Sequence, residues 1–240
     1  MKPSPPLQQA GIGVVVPYDF ALDRELWRWL PDDVSLHLTR MPFAPMAATM
    51  EMAMHISDPE TAAHGVADIS AVSPLVTAYA CTSGSFVGGP VGEQALVASM
   101  LAAGAPAALT TSGALLEALR HMGIRRLAIA TPYTADLTVG LTAFLGEAGI
   151  EVTAAAGLGL ISDIWTVPHD VTAKLVRQTD NDQAEAVFIS CTNMPTYDVI
   201  ARLEGELHKP VLTANQVTMW MALNLIGRKA VGPGQQLMER

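Results

Sequence analysis

A chain of 240 residues holds only two cysteines, and the two sit in matching contexts. Cys81 ends the apolar run 76–80 and is followed by Thr82-Ser83; Cys191 ends the run 186–190 and is followed by Thr192-Asn193. Each segment reads as a buried strand that stops at a thiol, then a hydroxyl residue and a turn residue. A single cysteine is ordinarily a small buried hydrophobe. Two of them at equivalent strand ends of a duplicated α/β chain would instead face each other across one cleft. One thiolate and one thiol so placed can add to a carbon, or take and return a proton, without a cofactor. No cofactor and no metal are therefore expected. The six histidines show no metal-ligand spacing, and Gly88-Gly89-Pro90-Val91-Gly92 is neither a dinucleotide fingerprint nor a phosphate loop.

The flanking residues define the ligand. Thr82-Ser83-Gly84-Ser85 is a run of small residues whose backbone N–H groups can turn toward an anion, and Thr192-Asn193 offers the same after the second thiol. A small anionic carboxylate is the expected partner, and the same N–H groups would lower a thiol pKa. Tyr133 stands at another strand end, in Thr131-Pro132-Tyr133-Thr134, where its phenol can donate to a carboxylate. Pro17, Tyr18 and Asp19 hold the corresponding place in the first half. Asp19 reads either as a site residue or as the N-cap of the helix that follows. An acid beside an anion site repels a carboxylate unless it receives an amine or stays protonated.

The elements that must position these residues repeat. Pro17-Tyr18 and Pro132-Tyr133, the two cysteine segments, and the strand openings at Pro106 and Pro210 recur in the same order. The offset shrinks by a few residues each time, as small loop deletions would produce. The pattern predicts strands near 12–17, 34–39, 75–80, 106–110, 126–131, 150–155, 185–190 and 210–214. Helices are predicted near 21–30, 46–56, 59–72, 91–103, 113–122, 135–148, 169–180, 197–207 and 216–227. Strands alternating with such helices imply parallel sheets with right-handed crossovers. The expected fold is α/β: two pseudo-symmetric Rossmann-like lobes, each a four-stranded parallel sheet flanked by helices, with the site in the cleft between them. Residues 1–110 with 215–240 form the first lobe, because the apolar last helix returns to it, and 111–214 form the second.

Composition sets the outer limits. Hydrophobic residues make up 50% of the chain and charged residues 15%, enough for one sizeable core or two small lobes. The net charge of −9 excludes a nucleic-acid surface. No uninterrupted apolar run of about 18 residues exists, so no membrane span is expected. Lys2, Pro3, Pro5 and Pro6 precede an apolar run too short for a signal-peptide core. Two thiols without an export signal point to a reducing cytoplasm. Low charge and an apolar last helix point to a homo-oligomer.

The segments Ile189-Ser190-Cys191-Thr192-Asn193-Met194-Pro195-Thr196-Tyr197-Asp198, Ala214-Asn215-Gln216-Val217-Thr218 and Tyr79-Ala80-Cys81-Thr82-Ser83-Gly84-Ser85 resemble maleate cis-trans isomerases. These belong to the aspartate/glutamate racemase superfamily, with hydantoin racemases and arylmalonate decarboxylases. The opening Pro17-Tyr18-Asp19-Phe20-Ala21-Leu22-Asp23 looks closer to the branch encoded in ectoine-utilisation operons. The resemblance implies that Cys81 is a nucleophile, that Cys191 is a general acid/base, and that Tyr133 contacts substrate. It also implies that backbone amides around Thr82-Ser83 and Thr192-Asn193 hold carboxylates. Decarboxylases of the group keep only the second cysteine, so isomerase or racemase chemistry is favoured over decarboxylation; isomerase and racemase use the same pair of thiols and both stay open, as does a two-lobed protein that only binds a small molecule, although such a module needs no pair of thiols. Two residues depart from the isomerase pattern. An asparagine of the first strand-end loop is replaced in Pro17-Tyr18-Asp19-Phe20, and one after the sixth strand is absent from Ser162-Asp163-Ile164-Trp165.

Overall fold

The computed structural model describes residues 9–239; the Pro-rich start, with Lys2, Pro3, Pro5 and Pro6, lies outside the described residues. Eight strands alternate with helices. The strands are β1 Ala10–Val16, β2 Val34–Arg40, β3 Val76–Tyr79, β4 Ala108–Thr110, β5 Arg126–Thr131, β6 Glu151–Gly157, β7 Ala186–Ile189 and β8 Val211–Thr213. The helices are α1 Asp23–Leu26, α2 Met50–Ile56, α3 Pro59–Ile69, α4 Thr82–Phe86, α5 Gly89–Ala102, α6 Thr111–Met122, α7 Ala135–Glu147, α8 His169–Thr179, α9 Tyr197–Leu207, α10 Ala214–Leu225 and α11 Gln236–Glu239.

Both sheets are wholly parallel and share one strand order, β2-β1-β3-β4 and β6-β5-β7-β8. The duplication read from sequence landmarks is thus a duplication of topology. In each sheet the chain runs from the second strand back across the first to the third. That reversal leaves a crevice outside the carboxyl ends of β1 and β3, and of β5 and β7, where ligands bind in open α/β sheets. The central strands β1, β3, β5 and β7 are near-continuous apolar runs because helices cover both their faces. Gly65 lets α3 lie close on β1: a Cβ there would stand 2.6 Å from the Val15 side chain.

Local signals explain several of the helix starts. Asp58 caps α3 by accepting the Glu60 N–H, with Pro59 at the first position. Thr110 caps α6, and Thr213 caps α10 in a capping box with Gln216. These two threonines are counterparts, and α6 and α10 pack against each other, joined by a 2.9 Å hydroxyl contact between Thr111 and Thr218.

Four expectations need correction. The predicted helix 21–30 is only α1 plus a 3-10 turn, Trp27–Trp29. Asp19 is not a cap: Leu22 precedes α1 and makes no side-chain cap bond. The segment after Cys81, expected as turn residues, is the short helix α4; all five of its residues are buried, so packing overrides their weak helix propensity. The last long helix starts at Ala214 rather than 216, so Asn215 lies in its first turn.

Candidate active site

Each cysteine stands one residue beyond the last inter-strand hydrogen bond of its strand. Ala80 N–H donates to Val15 at 2.8 Å, and Ser190 N–H donates to Ala130 at 2.9 Å. The backbone continues differently in the two halves. Cys81 is extended and caps α4; its Sγ accepts the Gly84 N–H at 3.4 Å and lies 3.7 Å from Ser83 Oγ. Cys191 has φ of 84°, a left-handed conformation that costs a non-glycine residue energy and that surrounding contacts must hold. Its carbonyl accepts the Met194 N–H at 3.1 Å, closing the turn.

The residue after each cysteine is pinned by the helix that starts after the neighbouring strand. Ser112 Oγ and Ser85 Oγ donate to the Thr82 carbonyl at 3.3 and 2.9 Å. Asn215 Nδ2 donates to the Thr192 carbonyl at 2.9 Å. Ser112 and Asn215 each follow their capping threonine by two positions, so one pin appears in both lobes.

The two loop sets enclose one pocket. Pro17, Asp19, Cys81, Thr82, Ser83, Tyr133, Cys191, Thr192 and Asn193 line it, with an apolar wall of Ala48, Met52, Leu137 and Ile164. The pocket is small and tightly enclosed by these residues. Of the residues singled out in the sequence, Tyr18 alone does not line it. The turn closed by Phe20 N–H on the Pro17 carbonyl aims Asp19 inward, while the Tyr18 hydroxyl donates to Met46 at 2.9 Å. The wall escaped sequence reasoning because these are ordinary core hydrophobes. Ile164 reaches the pocket from the loop in which an asparagine had been sought.

The pocket's electrostatics contradict one expectation. Both thiols are pushed up, Cys81 to about 11 and Cys191 to about 12. Burial is the main cause, and it outweighs the N–H groups of Gly84 and Asn193, which favour thiolate. Burial, with the neighbouring thiols, also holds Tyr133 well above the usual phenol range, so its hydroxyl remains a donor. Among the described residues the buried Thr82 hydroxyl finds no partner. Asn193 uses its side chain as a tie between lobes: Oδ1 accepts the Ala21 N–H at 2.9 Å and Nδ2 donates to the Asp19 carbonyl at 3.1 Å. Among the described residues no lysine, arginine or histidine lines the pocket, and Asp19 is its one acid.

Fold and pocket together define a class: a two-lobed α/β protein with a thiol at the switch point of each lobe, facing one small cavity. The chain belongs to the arylmalonate decarboxylase family, whose pattern matches residues 56–238. It is 30% identical over 214 residues to the maleate isomerase of Nocardia farcinica, covering 82% of this chain and 85% of that one. A liganded double mutant of arylmalonate decarboxylase superposes with a TM-score of 0.88 at 26% identity, covering 96% of this chain and 99% of that one. A Nocardia farcinica maleate cis-trans isomerase mutant with a covalently bound succinylcysteine intermediate has the same fold, with TM-score 0.85 at 24% identity and coverage of 96% and 99%.

Proposed function

We propose that this protein is a cofactor-independent cis-trans isomerase of maleate or a similar small carboxylate, working through Cys81 as nucleophile and Cys191 as acid and base. The observation that carries this reading is the pair of thiols on one cavity that also holds donors but no cation. Covalent addition replaces the high barrier to double-bond rotation with two lower ones. Cys81 thiolate adds to one alkene carbon, and the Cys191 thiol delivers its proton to the other. The resulting thioether has a single bond and rotates. Cys191 thiolate then removes the proton, the double bond re-forms as trans, and Cys81 leaves as thiolate. Electron density that builds on the adjacent carboxylate is met by Tyr133 and Thr82 hydroxyls and by the backbone amides of Ser83 and Asn193.

The Gly84 N–H and Ser83 hydroxyl beside Cys81 support its assignment as the thiolate. The relative from Nocardia farcinica supports the chemistry, since a mutant maleate isomerase from that organism carries a succinylcysteine. On this reading 1–110 with 215–240 make one lobe and 111–214 the other; α10 lying against β3 and β4 supports the return of the last helix. A cytoplasmic setting follows from the need for two free thiols. A homo-oligomer is proposed from the low charged content of the chain. Among the described residues no helix is long and apolar enough to cross a membrane.

Proton NMR in D2O with maleate, with its half-amide, and with a Cys81→Ser control tests the function. The trans olefin forms only with the unsubstituted protein if the reading is right. Deuterium uptake at the α-carbon of an amino acid, without olefin conversion, would make the protein a racemase instead.

A further inference from the structure

The isomerase reading places the pocket's donors on the carboxylate beside the reacting carbon. One acceptor on the same cavity, Asp19, is left unaccounted for. Asp19 lines the cavity with both thiols. Its surroundings offer little to a carboxylate. The Asn193 amide that lies against it also serves the Asp19 carbonyl and Ala21 N–H. Arg40, which faces it from β2, is held by the Phe20 carbonyl and Asp23. The Tyr18 hydroxyl is used by Met46, the Asp19 carboxyl takes its own backbone N–H, and the two thiols lie nearby. An ionised carboxyl is an acceptor only, with room for several hydrogen bonds. Facing a second carboxylate across a small cavity, it would place like charges together where water screens them poorly.

We propose that Asp19 selects a substrate that carries an N–H donor, a carboxamide or an ammonium group, in place of a second carboxylate. This deepens the proposed isomerase reading and rests on it for the placement of the first carboxylate. Burial raises the Asp19 pKa, and its own backbone N–H, Asn193 and Arg40 offset it only in part, which is the condition an incoming donor relieves. The rival arrangement, a protonated Asp19 donating to a second carboxylate, predicts the opposite preference.

Calorimetric titration of the full chain at pH 8 with succinamate and succinate separates the two. Both are saturated, unreactive and of nearly one shape, so the readout is independent of turnover. The unsubstituted protein is expected to bind succinamate about tenfold or more tighter, as for a hydrogen bond to a charged group. Asp19→Asn, which offers its own N–H, shifts the preference toward succinate; Asp19→Ser, without charge, brings the two close to equal. Thermal melts confirm that both variants fold. Tighter binding of succinate by the unsubstituted protein, no binding of succinamate, or an unchanged ratio in folded Asp19 variants would overturn the assignment. Failure to turn over either maleate or its half-amide would instead overturn the isomerase reading and leave the binding ratio to judge Asp19.

Discussion

Both thiols are protonated at neutral pH in the resting protein, because burial outweighs the amide groups that favour thiolate. Reactivity is therefore limited by a small thiolate fraction, which grows about tenfold per pH unit below the pKa. The expected kcat/KM rises by about that factor per unit from pH 7 to 9 and levels only as the first thiol of the coupled pair titrates. A pH–rate profile checks this; a plateau from pH 6 upward would mean that the thiolate preexists. Cys81→Ser and Cys191→Ser are each expected to lower kcat by about 1,000-fold or more with little change in melting temperature, and the double variant to be scarcely worse, since the two act as a unit. The cysteine pair was legible from sequence because two rare residues recurred in one context. The direction of their pKa shift was not, since it depends on how far the lobes close over them. Asp19 was ambiguous for a related reason: its role turns on a bend at Pro17 that neither periodicity nor composition encodes.

At the scale of elements, the duplicated pin stands out. Ser112 and Asn215 lie on α6 and α10 and hold the carbonyls of Thr82 and Thr192, which orients the backbone amides that follow each cysteine. Asn215→Ala removes this hydrogen bond and the one to Glu25 without touching the pocket. It is expected to lower kcat more than it raises KM, at a stability cost of about 1–2 kcal/mol measured by denaturant titration. Gly84 has a different job: a Cβ there would collide with the Tyr79 hydroxyl, which donates to the Ile56 carbonyl at 2.5 Å. Gly84→Ala should cost about 1–3 kcal/mol by overpacking, read from the same titration. Strand positions and most helices followed from apolar runs and their turn residues. α4 did not, because Thr82-Ser83-Gly84-Ser85 has the composition of a loop and is helical only through burial between lobes.

At the scale of the molecule, the cleft exists because the lobes are clamped. The Glu25 carboxylate accepts the Thr196 N–H at 3.0 Å, the Thr196 hydroxyl at 2.8 Å and Asn215 Nδ2 at 3.1 Å. Glu25→Ala strands these donors, most of them buried, and should destabilise the protein by about 1–3 kcal/mol. The thiols add a pH dependence to stability. Their folded pKa values of about 11 and 12 exceed the ordinary value of 9.0, so their neutral forms stabilise the fold fully below about pH 9. That contribution is lost as pH rises through 11 to 12, and Cys81→Ser should flatten the decline. The lobes' shared strand order was visible in repeated landmarks, whereas the clamp was not, because Glu25 and Thr196 meet only across the folded cleft.

The central claim is that Cys81 forms a covalent bond to the substrate while Cys191 moves the proton. Peptide mass spectrometry of the Cys191→Ser variant, incubated with maleate and with its half-amide, tests it most directly. The account predicts a thioether adduct of one substrate mass on the peptide bearing Cys81, and none when Cys81 is replaced by serine. An adduct on Cys191 in the Cys81→Ser variant with none on Cys81, or turnover by the unsubstituted protein without any trapped adduct, would contradict it.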